Sequence, residues 1–110
     1  MGAVETTLRV LGEPKRCEIV RLLWFEEMPA AAIAAHFPDV TRSAISQHLG
    51  ILRGVGLVSE RRDGVRRLYS ANQEEMGRLR EFVDSFWSSS LTMLRDLAES
   101  AEQAKERDDH

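Results

Sequence analysis

The sequence predicts a mainly α-helical domain that carries one small β-hairpin. Apolar residues recur at spacings of three and four through most of the chain, which is the pattern of amphipathic helices. The dipeptide Asp63-Gly64 separates two short runs, as in a hairpin with a two-residue loop. A length of 110 residues, with 43% hydrophobic and 30% charged residues, leaves room for one modest core. We therefore expect residues 1–110 to form a single domain of five helices and one hairpin.

The first half of the chain predicts three short helices. The first covers Glu5 to Leu11 and ends at Gly12. The second begins at Pro14, a residue that fits a first helical turn, and runs to about Phe25. A third, rich in alanine, spans Ala30 to His36 and stops before Pro38. The residues of the second helix expected to face inward are Ile19, Leu22 and Leu23.

A fourth helix is expected over residues 41–56, and its polar side suits contact with DNA. Thr41 would cap it, with Asp39 as the alternative cap, and Gly54 and Gly56 would end it. Ser and Gln can pair with base edges, Arg can contact guanine, and the stretch holds no carboxylate to repel phosphate. The alternative is an ordinary solvated helix side. The polar side consists of Arg42, Ser43, Ser46, Gln47, Gly50 and Arg53, and the apolar side of Ile45, Leu49, Leu52 and Val55.

The hairpin follows over residues 58–70, with strands Val58–Arg62 and Val65–Ser70. Asp63-Gly64 fits the two positive-φ positions of a type I′ turn. Four arginines surround this turn and would repel each other, so a phosphate backbone or a minor groove is the partner that their charge favours. The alternative is that they protect a strand edge from aggregation. These arginines are Arg61, Arg62, Arg66 and Arg67.

Helices three and four, joined by residues 37–40, form a helix-turn-helix. Its core is expected to consist of Ile33, Phe37, Ile45, Leu49 and Leu52, packed against Leu22 and Leu23. The hairpin would then be the wing of a winged helix-turn-helix.

Several phrases of the chain, in the right order, resemble one protein family. The segment Leu49-Gly-Ile-Leu-Arg-Gly-Val-Gly-Leu-Val58, followed by the Arg-rich hairpin that ends in Leu68-Tyr69, resembles the ArsR-type winged helix-turn-helix repressors of bacteria. The upstream phrase Leu11-Gly-Glu-Pro-Lys-Arg16 resembles the opening of the same family. Phe86-Trp87 with the leucines that follow resembles the branch encoded beside START-like proteins of the heat-shock-chaperone-activator homology type. The resemblance covers residues 4 to 100.

This resemblance implies a sequence-specific transcriptional regulator that binds double-stranded DNA as a homodimer. A dimeric repressor of this kind would bind an inverted-repeat operator. Arg42 stands where Gln is common in the family, which leaves the base preference open. The candidate DNA-binding residues are Thr41, Arg42, Ser43, Ser46, Gln47, Arg53, Arg61, Arg62, Arg66 and Arg67.

The last helix, expected over residues 73–104, is longer than the domain needs. Its apolar stripe must be covered, and in a small chain a second copy is the natural cover. The resemblance likewise implies dimerisation through the first and last helices. The alternatives are an intramolecular core helix and, at Ser88 to Ser90, a kink or space for a ligand. The expected dimer residues are Val4, Leu8, Leu11, Leu79, Val83, Phe86, Trp87, Leu91 and Leu94.

The sequence indicates neither an enzyme nor a cofactor. His36, His48 and His110 are isolated, and no nucleophile elbow or phosphate loop occurs. The family's arsenic and cadmium sensors carry a Cys-x-Cys pair in the third helix, and residues 28–36 hold no cysteine. Its zinc sensors place Asp and His pairs across the last helix, where this chain has Asp84 followed by Phe86, then Leu97 and Ser100. No metal site is therefore predicted, and Cys17 is expected to be buried and inert.

Charge and hydropathy complete the sequence-based prediction. The net charge is −3, but residues 41–67 contain six arginines against two acids, so the local field is positive. No apolar run is long enough to span a membrane, and we expect a cytoplasmic protein. Two other functions stay open. One is a sensor gated by a small organic molecule or by an unusual metal site, and the other is a winged-helix module for protein interaction.

Overall fold

The computed structural model describes residues 2–108, with the side chains of residues 4–105, and shows the mainly helical fold with its small β-sheet. His110 lies outside these residues. The helices begin within three residues of the expected positions, the largest difference being the start of the first helix at Gly2 rather than Glu5. The elements are α1 (Gly2–Leu11), α2 (Pro14–Phe25), β1 (Met28–Pro29), α3 (Ala30–Ala35), α4 (Arg42–Gly54), β2 (Val58–Asp63), β3 (Arg66–Ala71) and α5 (Gln73–Asp108).

The chain divides into two compact units, Met1–Leu79 and Arg80–His110. The core of the first unit lies where α2, α3 and α4 meet. Its fully buried side chains include Ile19, Ile33, Ile45 and Leu52, as the helical periodicity predicts. Leu22 is only partly buried. Buried residues that the expected core did not contain include Val10, Val20, Met28, Leu57, Val58 and Leu68.

The first helix packs into the protomer through a side that does not include Leu8, one of the expected dimer residues. Thr7 and Val10 are its buried residues, whereas Leu8 is 41% exposed. Leu79 on α5 was expected at a dimer interface, but it is buried at 8% exposure within the protomer itself. Its side chain therefore belongs to the protomer core.

The sheet has three antiparallel strands in the order β1-β3-β2, one more than the hairpin that the sequence predicts. The additional strand, Met28–Pro29, pairs with Tyr69 and Leu68 of β3. It is too short for alternation of polar and apolar residues to reveal it.

The hairpin turn lies one residue later than expected, and the prediction of a type I′ turn at Asp63-Gly64 was wrong. Asp63 pairs with Arg66, so the loop is Gly64-Val65. Gly64 has a φ of 65°, and no residue other than glycine has a positive φ in the described part of the chain. A positive φ at the first loop position alone is the pattern of a type II′ turn. A type I′ turn needs a positive φ at both loop positions. A β-branched residue such as Val65 would be strained at a positive φ, which explains why this turn is not of that type.

The second unit consists of the remainder of α5. Its apolar side chains are largely exposed within one protomer, with Phe86 at 57% and Trp87 at 56%. Their rings meet edge to face, with centroids 5.9 Å apart. The other exposed apolar residues of this unit are Phe82, Leu91, Met93, Leu94 and Leu97. None of the described helices combines the length and the apolar character that a membrane span requires.

Candidate nucleic-acid interface

Helix α4 is fixed at both ends by local hydrogen bonds. The Thr41 hydroxyl accepts a hydrogen bond from the Ala44 backbone N–H at 3.1 Å, so Thr41 rather than Asp39 is the N-cap. At the other end, Gly56 has a φ of 82° and its N–H donates to the Arg53 carbonyl at 3.0 Å. Gly54 stays helical and is the last residue of α4. Because Ile45 and Leu49 are buried below, the polar side of the helix is presented outward.

Every residue of the expected polar side is exposed. A Cβ atom placed on Gly50 would meet no other atom within 4 Å, so this part of the helix surface is open. Arg42 has neither a hydrogen bond nor an ion pair within residues 2–108, and its guanidinium is available to an external acceptor. The exposed polar residues are Arg42, Ser43, Ser46, Gln47, Gly50 and Arg53.

The four wing arginines do not form the unpartnered cluster that their sequence suggests, because carboxylates pair with three of them. Arg61 makes two hydrogen bonds to Glu27, one from Nε to Oε2 at 2.7 Å and one from Nη2 to Oε1 at 2.5 Å. Arg66 lies 3.6 Å from Asp63 beside the turn. Arg62 has no ion pair or hydrogen bond within the described part of the chain.

Glu60 links α4 to the hairpin through two ion pairs. Its side chain is 17% exposed and contacts Arg53 of α4 through Oε2. Its Oε1 lies 3.6 Å from Nε of Arg67 on β3. One carboxylate therefore serves two arginines that the sequence had assigned to DNA contact. Sequence order alone does not reveal these pairs, since Glu27 is 34 residues away from Arg61.

His48 and Cys17 lie away from this polar surface. The side chain of His48 is 18% exposed, and its Nε2 is 4.0 Å from Oε2 of Glu13. Its Nδ1 is buried without a hydrogen-bond partner among the described residues. Glu13 caps α2 by accepting a hydrogen bond from the Arg16 backbone at 3.0 Å. These contacts favour a structural role for His48. Cys17 is partly exposed, not fully buried as expected.

An apolar cavity of about 390 Å³ opens at the end of α2. Its volume lies in the range of small-molecule sites. Its lining residues are Val20, Arg21, Trp24, Phe25 and Met76. Among residues 2–108, no group of three or more His, Cys, Asp or Glu side chains lies close enough together to hold a metal ion.

Comparison with known proteins identifies this arrangement. A family model for a helix-turn-helix domain matches residues 11–61. The HTH-type transcriptional regulator Rv2034 of Mycobacterium tuberculosis is 34% identical over 92 residues, which cover 84% of this chain and 85% of the relative.

Solved structures of transcriptional regulators are also similar to this chain. The crystal structure of a possible transcriptional regulator for arsenical resistance is 46% identical, with a TM-score of 0.65, and the match covers 73% of this chain and 82% of that one. The homodimeric winged helix-turn-helix DNA-binding domain Mb0332 of Mycobacterium bovis, a possible ArsR-family regulator, is 29% identical with a TM-score of 0.64. That match covers 79% of this chain and 80% of the domain. This chain belongs to the ArsR family.

In this winged helix-turn-helix fold, α4 follows α3 and the hairpin β2–β3 follows α4. Both belong to the first compact unit, so the core that positions one also positions the other. The feature that sequence reasoning missed is the set of acids, Glu27 and Glu60, that hold arginines beside this surface.

Proposed function

We propose that this ArsR-family regulator is a homodimeric repressor that binds an inverted-repeat operator and occludes a promoter. The observation that carries the proposal is the open polar side of α4, where the partner-free Arg42 stands beside hydrogen-bonding serine and glutamine side chains. A helix with this surface can read base edges in a major groove. Arg62 on the wing supplies a second partner-free cation for the flanking backbone. A protein with this role works in the bacterial cytoplasm, where the chromosome lies.

The dimer is supported by the apolar surface of the second unit. Phe86 and Trp87 are more than half exposed in one protomer, together with three leucines of the same helix. Exposed patches of this kind mark association sites in soluble proteins. The related Mycobacterium bovis domain is homodimeric. Two recognition helices related by a twofold axis would enter major grooves about 34 Å apart, one turn of DNA.

Footprinting and gel shifts on the DNA upstream of the protein's own gene test this function. We expect protection of two half-sites in inverted orientation, and sedimentation of the free protein as a dimer. Arg42→Ala should reduce the preference for this DNA over a random duplex of equal length. Equal affinity of the wild type for both duplexes would contradict the proposal and favour a protein-interaction module.

We further propose that no metal controls DNA binding. The chain has one cysteine and three histidines, whereas a metal sensor needs three or four ligands around one ion. Zinc, cadmium or arsenite at low micromolar concentration should leave the operator affinity unchanged, as should Cys17→Ser. Metal-induced release from DNA, or stoichiometric metal in the purified dimer, would overturn this part of the proposal.

A further inference from the structure

The contact between Glu27 and Arg61 links two parts of the first unit that are distant in sequence. Both oxygens of the carboxylate accept hydrogen bonds from the guanidinium, at 2.7 and 2.5 Å, across a separation of 34 residues. Most exposed ion pairs contribute little to the stability of a protein. Pairs of parallel hydrogen bonds between an arginine and a carboxylate, as here, are stronger. The contact is therefore able to restrict how the wing is placed.

The sheet topology shows what the contact holds. Arg61 on β2 lies opposite Leu68 on β3, and Leu68 lies opposite Pro29 on β1. Glu27 immediately precedes β1, so the Arg61 side chain spans the central strand to reach it. Strand β1 pairs with β3 through only two residues. Without the ion pair, only the two-residue pairing of β1 with β3 and the packing of side chains would attach the hairpin to the end of α2.

Glu27 is ionised at neutral pH, which keeps this contact formed. The hydrogen bond from Arg61 lowers the pKa of the Glu27 carboxyl from its ordinary value of 4.5, while desolvation acts in the opposite direction. Because the pKa is lowered, the contact contributes its full stabilisation above pH 4.5. This stabilisation is lost as the pH falls through the pKa that Glu27 has in the folded protein. The carboxylate is thus charged wherever a bacterial regulator works.

The neighbouring arginine provides a contrast. Successive residues of a strand point to opposite faces, so Arg61 and Arg62 face different ways. Arg62 has no partner among residues 2–108, whereas Arg61 donates to Glu27 through Nε and Nη2. The carboxylate offsets the charge of the guanidinium that it pairs with, so Arg61 attracts phosphate less strongly than the unpaired Arg62.

We propose that Glu27 and Arg61 form a latch that positions the wing for DNA binding, and that Arg61 acts through Glu27 rather than by contacting DNA. This proposal rests on the DNA-binding function proposed above. It makes both residues positioning residues, and it leaves the phosphate contact of this strand to Arg62.

The test compares Glu27→Gln and Arg61→Gln, singly and together, in the full chain. Their charge changes are opposite, so simple electrostatics predicts tighter DNA binding for the first and weaker binding for the second. The latch predicts that each single variant weakens binding to its operator about three- to fivefold, and that the double variant is no weaker than either. The dependence of affinity on salt should keep its slope.

Two matched controls belong to this test. Glu26→Gln changes the same charge one residue away, at an exposed side chain without a partner within residues 2–108, and should not weaken binding. Arg62→Gln should lower the salt slope by about one, as expected for one lost phosphate contact. Tighter binding by Glu27→Gln, together with a lower slope for Arg61→Gln, would overturn the latch.

Hydrogen exchange of the free protein tests the latch without DNA. Backbone amides of β2 and β3 should exchange faster in Glu27→Gln and Arg61→Gln, and the charge-swapped variant Glu27→Arg/Arg61→Glu should restore their protection. Unchanged exchange in both single variants would refute the latch. If the wild type fails to bind DNA while the exchange result is positive, the proposed function fails and the latch remains a feature of the wing.

Discussion

The arginines proposed to face DNA fall into two groups according to their partners. Carboxylates of the chain itself pair with Arg53, Arg61, Arg66 and Arg67. Arg42 and Arg62 have no ion pair or hydrogen bond in residues 2–108. Only the second group carries a charge that no carboxylate of residues 2–108 offsets, which separates arginines that look equivalent in the sequence.

Arg42→Ala and Arg62→Ala should therefore affect DNA binding differently. Arg42 lies at the start of the recognition helix, and its loss should cost about 1 to 3 kcal/mol on the cognate site and relax the preference at one base position. Loss of Arg62 should weaken cognate and random duplexes alike. Binding isotherms on both duplexes over a range of salt concentrations separate the two effects. Equal losses on both duplexes for Arg42→Ala would exclude base reading by this residue.

Gly50 offers a test of how closely the recognition helix approaches DNA. It lies within α4, where glycine is less stable than alanine by about 0.5 to 1 kcal/mol, and its surroundings leave space for a methyl group. Gly50→Ala should raise the free energy of unfolding by a similar amount, measured by urea denaturation, while lowering operator affinity in a binding assay. A variant that is more stable and binds normally would show that DNA does not approach this position.

At the scale of elements, the hairpin illustrates a limit of pattern analysis. Moving the loop from Asp63-Gly64 to Gly64-Val65 shifts each residue of β2 by two positions along its partner strand. Because a strand has a side-chain period of two, both registers place the same residues on the same faces. Alternation of polar and apolar residues cannot distinguish them, and the backbone conformation of the turn decides.

Gly64→Ala and Val65→Ser distinguish the two registers experimentally. Gly64 has a φ of 65°, so alanine should be strained and should destabilise the fold by about 1 kcal/mol. Val65 is fully exposed, with no positive φ, and Val65→Ser should change stability by less than about 0.5 kcal/mol. Thermal unfolding of both variants checks this expectation. A large loss for Val65→Ser alone would contradict the observed turn.

At the scale of the whole molecule, the proposed dimer should depend on the exposed aromatic pair of α5. Replacing Phe86 and Trp87 by alanine should cost several kcal/mol, since loss of a buried aromatic side chain costs about 3 to 5 kcal/mol and each change occurs twice in a symmetric interface. Sedimentation should then detect monomers. Operator binding should fall although no DNA-facing residue has changed, because a single half-site contact gives little affinity.

Two controls accompany this prediction. Ser88→Ala/Ser89→Ala changes exposed residues of the same helical turn and should preserve the dimer. Truncation after Ala101 removes a polar, acidic end and should have a much smaller effect than the aromatic substitutions. A wild-type monomer, or an aromatic variant that stays dimeric and binds normally, would refute the proposed interface.

The sequence by itself determined the parts of this protein that depend on local periodicity. The helices, the Thr41 cap and the outward polar side of α4 follow from residue spacing, because a helix places residues three and four apart on one side. The family resemblance of residues 4–100 is likewise carried by linear phrases of the chain and is confirmed by its relatives.

Only the tertiary structure decided which groups meet across the fold. Strand β1, the hairpin register and the pairing of Glu27 with Arg61 depend on segments brought together by the core of the first unit. No spacing rule relates residues 34 positions apart. The sequence showed that the hairpin is positively charged, whereas the fold decided which of its arginines are paired with carboxylates. Ion pairing depends on the distance between the two groups in space and not on their separation in sequence.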